Sequence, residues 1–398
     1  MCIRDSPFRY PEVDGPDGRV FFEQEAQVQS VVFYDRDCAR LAGTVWQPRD
    51  AVQRLPGVVF ETGSVGAPET LYRWLPQLLV RHGFAVLTFE ARGQGRSDFA
   101  TPQGGLGTNI NPSVFWEGFV DAIDFFRSSP ERPYPNEARC SGTYPTATNT
   151  FNPQHAVRDL ERLGVVGHSL SAIAVTAVQG YGANGADPWP GQLDENNPVD
   201  VAVAMDGLLE PGTARPGGSF GPLDALFPQV VDAVAQPIVV RDFPNIGPRV
   251  PTMGQSSEYG LLITPYIAPP DPEFRKRAFK VWQDAQIPVF DFTIQGSSHM
   301  EWSQVPPLPA SSFCPEPASS QCRGGYALPM IEHYTVAWLD RWLKLRGEPG
   351  FDTADQRLLA DGGEHGAVKM SYRFRSARDF PDRNGQRQHC EDIRGGCF

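Results

Sequence analysis

The pentapeptide Gly167-His168-Ser169-Leu170-Ser171 constrains this chain more than any other stretch of its 398 residues. It directly follows the apolar run Leu163–Val166 and opens a second apolar segment, Ala172–Gln179. A strand that turns into a helix through Gly-x-Ser-x-small forces the serine into a sharp, strained turn. The hydroxyl is then exposed at the carboxyl edge of a sheet, beside the first N–H groups of the helix. Small residues flank the serine because strand and helix backbones nearly touch there. The string alone is common; the strand before it and the helix after it are what a catalytic reading requires.

The rest of the chain supplies that context. Val28–Tyr34 and Leu41–Trp46 read as a hairpin around Asp35-Arg36-Asp37, and Gly57–Phe60 as a short strand entering the Glu61–Gly66 loop. Leu71–Arg81 has helical periodicity closed by Gly83, Phe84–Phe89 reads as a buried strand, and Val114–Phe126 as an amphipathic helix. A long Pro/Cys-rich loop over Ser128–Pro153 precedes the strand that ends at Gly167. Strands follow at Val199–Met205, near Val250–Gln255 and at Pro288–Ile294, with helices over Leu223–Ala235, Pro272–Ala285 and Met330–Lys344. Beyond Gly350 the tail holds one alternating run, Val368–Phe374. Strands alternating with helices imply a mostly parallel sheet covered on both faces.

Composition narrows the options. With 40% hydrophobic and 11% aromatic residues the chain can bury a core, which excludes a disordered protein. A net charge of −12, with no Lys/Arg cluster, argues against a nucleic-acid partner. No segment reaches the roughly eighteen apolar residues that a membrane span requires. No Cys/His spacing suggests zinc, and no cofactor is expected. Arg92-Gly93-Gln94-Gly95 lacks the third glycine or the lysine of a nucleotide loop and reads as a structural turn. The opening residues Met1–Ser6 read as the translation of a transposon-end adapter from DNA library preparation, so the natural start, with any signal peptide, is expected to lie outside this sequence. Discounting Cys2, six cysteines remain; the close pairs Cys314/Cys322 and Cys390/Cys397 favour disulfides and an oxidising compartment, while Cys38–Cys140 follows only by elimination.

If Ser169 is a nucleophile, a carboxylate and a histidine base should follow it, each just after a strand. Of the seven histidines only His299 follows a strand through a short Gly/Ser turn. His82 and His155 precede the nucleophile, His168 lies inside the elbow and is expected to point away, His333 sits within the last helix, and His365 and His389 lie in the polar tail. For the acid, Asp206 follows the next strand and is the first choice; Glu258 follows the one after and is the alternative. Oxyanion charge needs two fixed N–H donors. These are expected from Leu170, at the start of the elbow helix, and from Ser64 in the Thr62-Gly63-Ser64 loop. The Phe99–Trp116 and Leu208–Arg249 stretches are expected to overhang the site, with Trp302, Phe220 and Phe227 as candidate substrate contacts or packing residues.

From about Gln29 to Arg346 the chain resembles an α/β-hydrolase. Thr62-Gly63-Ser64, Leu71-Tyr72, His82-Gly83-Phe84, Gly167-His168-Ser169, Ala204-Met205-Asp206 and Ser257-Glu258 are similar to the platelet-activating-factor acetylhydrolase branch. Secreted actinobacterial esterases and polyester hydrolases look similar around Gly167–Ser171 and Gly296–His299. The resemblance implies an α/β-hydrolase fold: a mostly parallel eight-stranded sheet with helices on both faces and long loop insertions. It places the catalytic domain over 7–350 and leaves 351–398 as an extension packed on it. It also implies a secreted or periplasmic serine esterase acting on a small-molecule, lipid or polymer ester. The alternatives are a catalytically silent binding protein and a serine hydrolase of another bond, such as an amide. Two positions depart from the pattern: Ser171 stands where a glycine is usual, and Thr62 where a histidine often precedes the oxyanion-loop glycine.

Overall fold

In the computed structural model, residues 20–107, 111–145, 147–211, 243–260, 269–303 and 327–397 are described. Ten strands form one sheet: β1 (Ala26–Tyr34), β2 (Arg40–Pro48), β3 (Leu55–Glu61), β4 (Ala85–Phe89), β5 (Arg158–His168), β6 (Val201–Met205), β7 (Thr252–Ser257), β8 (Val289–Ile294), β9 (Ala377–Pro381) and β10 (Arg387–Cys390). Their spatial order is β1-β2-β4-β3-β5-β6-β7-β8-β9-β10. The inner strands from β4 to β8 run parallel, and an antiparallel pair extends each edge.

β3, β4 and β6 are fully buried because helices cover both faces, so they read as mostly apolar runs. Alternation still decides which core each side chain joins. Val58, Phe60, Val166, Val203 and Met205 pack on α1 (Trp74–Arg81) and on the helix Ala327–Leu343, whereas Leu55, Val59, Val165, Ala202 and Ala204 pack on the opposite face. That second face is covered by α2 (Ser113–Arg127) and, after the short α3 (Pro135–Cys140), by α4 (Leu170–Gly180). α5 (Arg277–Asp284) makes a small core of its own around Trp282, α6 spans Ala327–Leu343, and α7 is Ala354–Leu358.

The sheet departs from the expected eight strands because the tail supplies β9 and β10. The alternating run Val368–Phe374 is not a strand; only Met370 forms a bridge, to Ile294. The tail strands carry Arg378, Asp379, Arg387 and His389 and are held by ion pairs of Arg387 with Asp379 and of Arg378 with Asp361. The 128–153 loop, expected to be irregular, contains α3 and seals the opposite edge. Asn149 accepts from the Val32 N–H at 2.9 Å and Tyr134 Oη from the Tyr34 N–H at 2.8 Å, so β1 presents fewer open donors for pairing with another chain. Cys38–Cys140, with a Cα separation of 5.2 Å, pins that loop, and Cys390–Cys397, at 4.7 Å, pins the end of β10. Cys314/Cys322 and the expected Leu223–Ala235 helix lie outside the described residues.

The two crosslinks differ in the loop they close, 102 positions against 7. In the chain-entropy account this corresponds to roughly 4.7 and 2.4 kcal/mol of stability respectively. Alkylation of denatured, unreduced protein with peptide mapping should find no free thiol at Cys38, Cys140, Cys390 or Cys397. Urea titration should show the paired Cys38→Ser, Cys140→Ser variant losing about twice the stability lost by Cys390→Ser, Cys397→Ser.

Candidate active site

β5 ends at His168 and α4 begins at Leu170, leaving one residue, Ser169, to reverse the chain. Ser169 does so at φ 65°, ψ −124°, a conformation that costs a non-glycine residue roughly 1–3 kcal/mol and persists only where its surroundings impose it. They do. A Cβ on Gly167 would sit 2.4 Å from the Ser171 carbonyl oxygen, and the Ser169 N–H donates to the Met205 carbonyl at 3.0 Å. The crossing of β5 and α4 therefore requires glycine at 167 and projects the serine hydroxyl from the carboxyl edge.

Two further loops leave the same edge. After β6, Asp206 adopts φ 58°, and its N–H donates to the Gln255 carbonyl at 2.7 Å. After β8, the Gly296-Ser297-Ser298 turn leads to His299, whose N–H donates to the Gly260 carbonyl at 2.7 Å. The three side chains meet. His299 Nε2 lies 2.8 Å from Ser169 Oγ, and its Nδ1 lies 2.5 Å from Asp206 Oδ2. Asp206 also accepts from the Ser257 N–H at 2.6 Å and the Ser257 hydroxyl at 2.9 Å. Burial alone would raise the Asp206 pKa. The bond from His299, the charges of His299 and Arg275 and the Ser257 N–H outweigh burial and hold it well below the usual carboxylate range. Glu258 is directed elsewhere: it accepts from the Gly296 N–H at 2.7 Å and the Ser371 hydroxyl at 2.6 Å, while both nitrogens of His299 are engaged by other residues.

No protein-family model matches the chain, and no curated protein matches it significantly. The site is read from its own atoms. Glu61 pairs with Gly167 in the sheet, so the Thr62-Gly63-Ser64 loop and Ser169 emerge side by side. Leu170 opens α4 directly after Ser169, where helix N–H groups have no intrahelical partner. The loop is anchored at several points: Thr62 N–H donates to the Phe89 carbonyl at 3.2 Å, Gly63 N–H to Tyr72 Oη at 3.3 Å, and Gly66 N–H to Gln94 Oε1 at 2.6 Å. The 92–95 stretch is thus a turn that buttresses this loop. Ser171 and Thr62 are bonded to each other: the Ser171 hydroxyl donates to the Thr62 carbonyl.

The structure also places residues that sequence reasoning put elsewhere or overlooked. His168, expected to point away, lies with its ring centroid 4.7 Å from that of His299. Tyr72, noted only as part of a resemblance, bonds His168 Nδ1 at 2.9 Å. Trp302 is a packing residue, fully buried, donating to Gln255 Oε1 at 2.8 Å and accepting from Trp74 Nε1 at 3.1 Å through its carbonyl. Phe220 and Phe227 lie outside the described residues. Among the described residues no cluster of three or more His, Cys, Asp or Glu side chains could hold a metal ion.

Glu61, directly below the 62–64 loop, is fully buried. The Ser171 hydroxyl lies near it but donates to Thr62, and neither carboxyl oxygen has a hydrogen-bond partner. Burial raises its pKa well above the carboxylate norm, so the folded protein retains a proton that the unfolded chain releases. Stability from this group is complete below the unfolded carboxylate pKa and is lost as pH rises towards the folded value, by up to about 1.4 kcal/mol per pH unit. Glu61→Gln should remove that loss. Thermal midpoints across a pH series should match wild type in acid and rise above it progressively in neutral and alkaline buffer.

Proposed function

We propose that this chain is an α/β-hydrolase that cleaves carboxylic esters through an acyl-serine intermediate. The observation that carries the proposal is the unbroken line from Ser169 Oγ through His299 to Asp206, 2.8 and 2.5 Å per link, built from three loops at one edge of a parallel sheet. In this reading His299 Nε2 takes the Ser169 proton as Oγ attacks the ester carbonyl carbon. The resulting oxyanion is held by the Leu170 and Ser64 N–H groups, each worth about 3 kcal/mol in the transition state. The imidazolium then protonates the departing alkoxide, leaving an acyl-serine and a free alcohol. Water attacks the acyl carbon with His299 again as base, which releases the acid and restores Ser169. Asp206 stays ionised at working pH. It fixes the Nδ1–H tautomer and stabilises the imidazolium; it does not take the proton.

Residues on three separate loops converge to hydrogen-bonding distance around a strained serine. That is costly to maintain in a binding protein, and it favours an enzyme over a silent scaffold. The substrate class proposed is a small-molecule, lipid or polymer ester. The disulfides Cys38–Cys140 and Cys390–Cys397 support an oxidising, extracytoplasmic location. No helix among the described residues is long and apolar enough to cross a membrane.

Turnover of p-nitrophenyl esters from acetate to palmitate tests the proposal and ranks acyl length. Ser169→Ala should lower kcat by about 10⁴-fold or more, and Asp206→Asn by roughly 10⁴-fold. Glu258→Gln should stay within about tenfold of wild type, because its carboxylate orients the Gly296 turn and does not touch the imidazole. A wild-type protein inert on every ester, or a Ser169→Ala variant as active as wild type, would refute the reading.

A further inference from the structure

Behind the three converging side chains runs a second line of hydrogen bonds, entirely buried. Tyr72 is 2% exposed, His168 3% and Trp302 fully covered. Gly63 N–H donates to Tyr72 Oη at 3.3 Å, so the phenol proton is free to donate to His168 Nδ1, 2.9 Å away. Nδ1 is then an acceptor, which leaves the proton of the neutral ring on Nε2, 2.9 Å from the backbone carbonyl of His299. One tautomer satisfies every group in the line. The loop must come close for this to happen: a Cβ on Gly63 would lie 2.7 Å from Tyr72 Oη and 3.2 Å from His168 Nδ1. Trp302 stacks on His168 at 5.7 Å and 22°, and the His299 ring covers it at 4.7 Å. Burial first, and then the charge of His299, push the His168 pKa down to about 3, so the neutral ring that the line requires is the form present at working pH.

We infer that His168 and Tyr72 are positioning residues that tie the oxyanion loop at Gly63 to the backbone of His299, fixing the separation between the oxyanion donor and the general base. The inference rests on the ester-hydrolase reading. Donor and base arise from different strands, β3 and β8, and must hold a reacting carbonyl between them to within a fraction of an ångström. The line bridges them directly.

Tyr72→Phe, His168→Gln and His168→Phe separate the links. Tyr72→Phe removes the loop link. In His168→Gln a terminal amide N–H can still reach the His299 carbonyl, whereas His168→Phe removes both bonds. With p-nitrophenyl butyrate, kcat should fall about 10- to 100-fold in His168→Phe with KM within about twofold, and less in His168→Gln. Tyr72→Phe combined with His168→Phe should be no worse than His168→Phe alone, because the two residues act through one line. The ¹⁵N resonances of the His299 ring, which need no turnover, should move in His168→Phe. Variants that melt earlier but keep wild-type kcat and unchanged His299 resonances would overturn the inference. If wild type hydrolyses no ester, the functional reading fails, and the His299 resonances alone decide the positioning role. If His168→Phe does not fold, Tyr72→Phe, which lacks only a hydroxyl, carries the same comparison.

Discussion

The site depends on one close contact, the passage of the β5 backbone against the first turn of α4. Because position 167 has no side chain, the Ser171 carbonyl can come within what would be 2.4 Å of a Cβ, and the intervening Ser169 has only a left-handed conformation available. Every other component is placed relative to that serine. Neighbouring strands are about 4.8 Å apart, so a loop leaving β8 starts roughly 14 Å from one leaving β5, with β6 and β7 between. An imidazole cannot cross that gap from the end of a strand. The Gly296–Ser298 turn carries the chain back over β7, and the Gly260 carbonyl stops it there by holding the His299 N–H. Asp206 needs no such extension, since β6 is the adjacent strand and a single left-handed residue turns its carboxylate across.

Partial burial of this arrangement makes its polar groups sensitive to their partners. A carboxylate removed from water is unfavourable unless it is charge-paired or hydrogen-bonded. Asp206 is both, with the Ser257 N–H and hydroxyl on one side and His299 on the other. Glu258 is hydrogen-bonded to Gly296 and Ser371, which links the Gly296–Ser298 turn to the C-terminal tail. The tail is therefore coupled to the site through the sheet edge, although it contributes no side chain to the serine–histidine–aspartate line. His168 and Glu61 take the other course open to buried ionisable groups and shed their charge.

Much of this was legible in the residues, and what was not has identifiable causes. β3, β4, the end of β5, β6 and β8 appear as mostly apolar runs, because burial on both faces favours little else, whereas β7 is largely polar in sequence although fully buried. Ser169 and His299 follow from strand ends and small-residue turns. The choice between Asp206 and Glu258 does not: both follow strands, and only the φ of 58° at Asp206 and the direction of the longer glutamate separate them. β9 and β10 carry arginine, aspartate and histidine where a strand signal needs alternating apolar residues, since an edge pair held by ion pairs and a disulfide does not require that pattern. His168 was misplaced because the elbow turns the serine away from the sheet, and nothing local shows that the preceding side chain tucks beneath the loop that carries His299.

The residues at 62 and 171, where the resemblance leads one to expect histidine and glycine, have a common explanation. A serine in place of glycine at 171 adds atoms at a crossing where backbone contact is already limiting. Gly167 makes the room: a Cβ there would lie 3.0 Å from the Ser171 Cβ, and only the Ser171 hydroxyl reaches beyond the crossing, to the end of β3. There its hydroxyl meets the Thr62 carbonyl, the last backbone group before Gly63. A histidine at 62 would have to fit a position that is fully buried here. Threonine is small enough to be enclosed there, although its hydroxyl has no hydrogen-bond partner, and the hydroxyl of Ser171 fastens the loop through its backbone. The 62–64 loop is thus held from α4 on one side and from Tyr72 on the other.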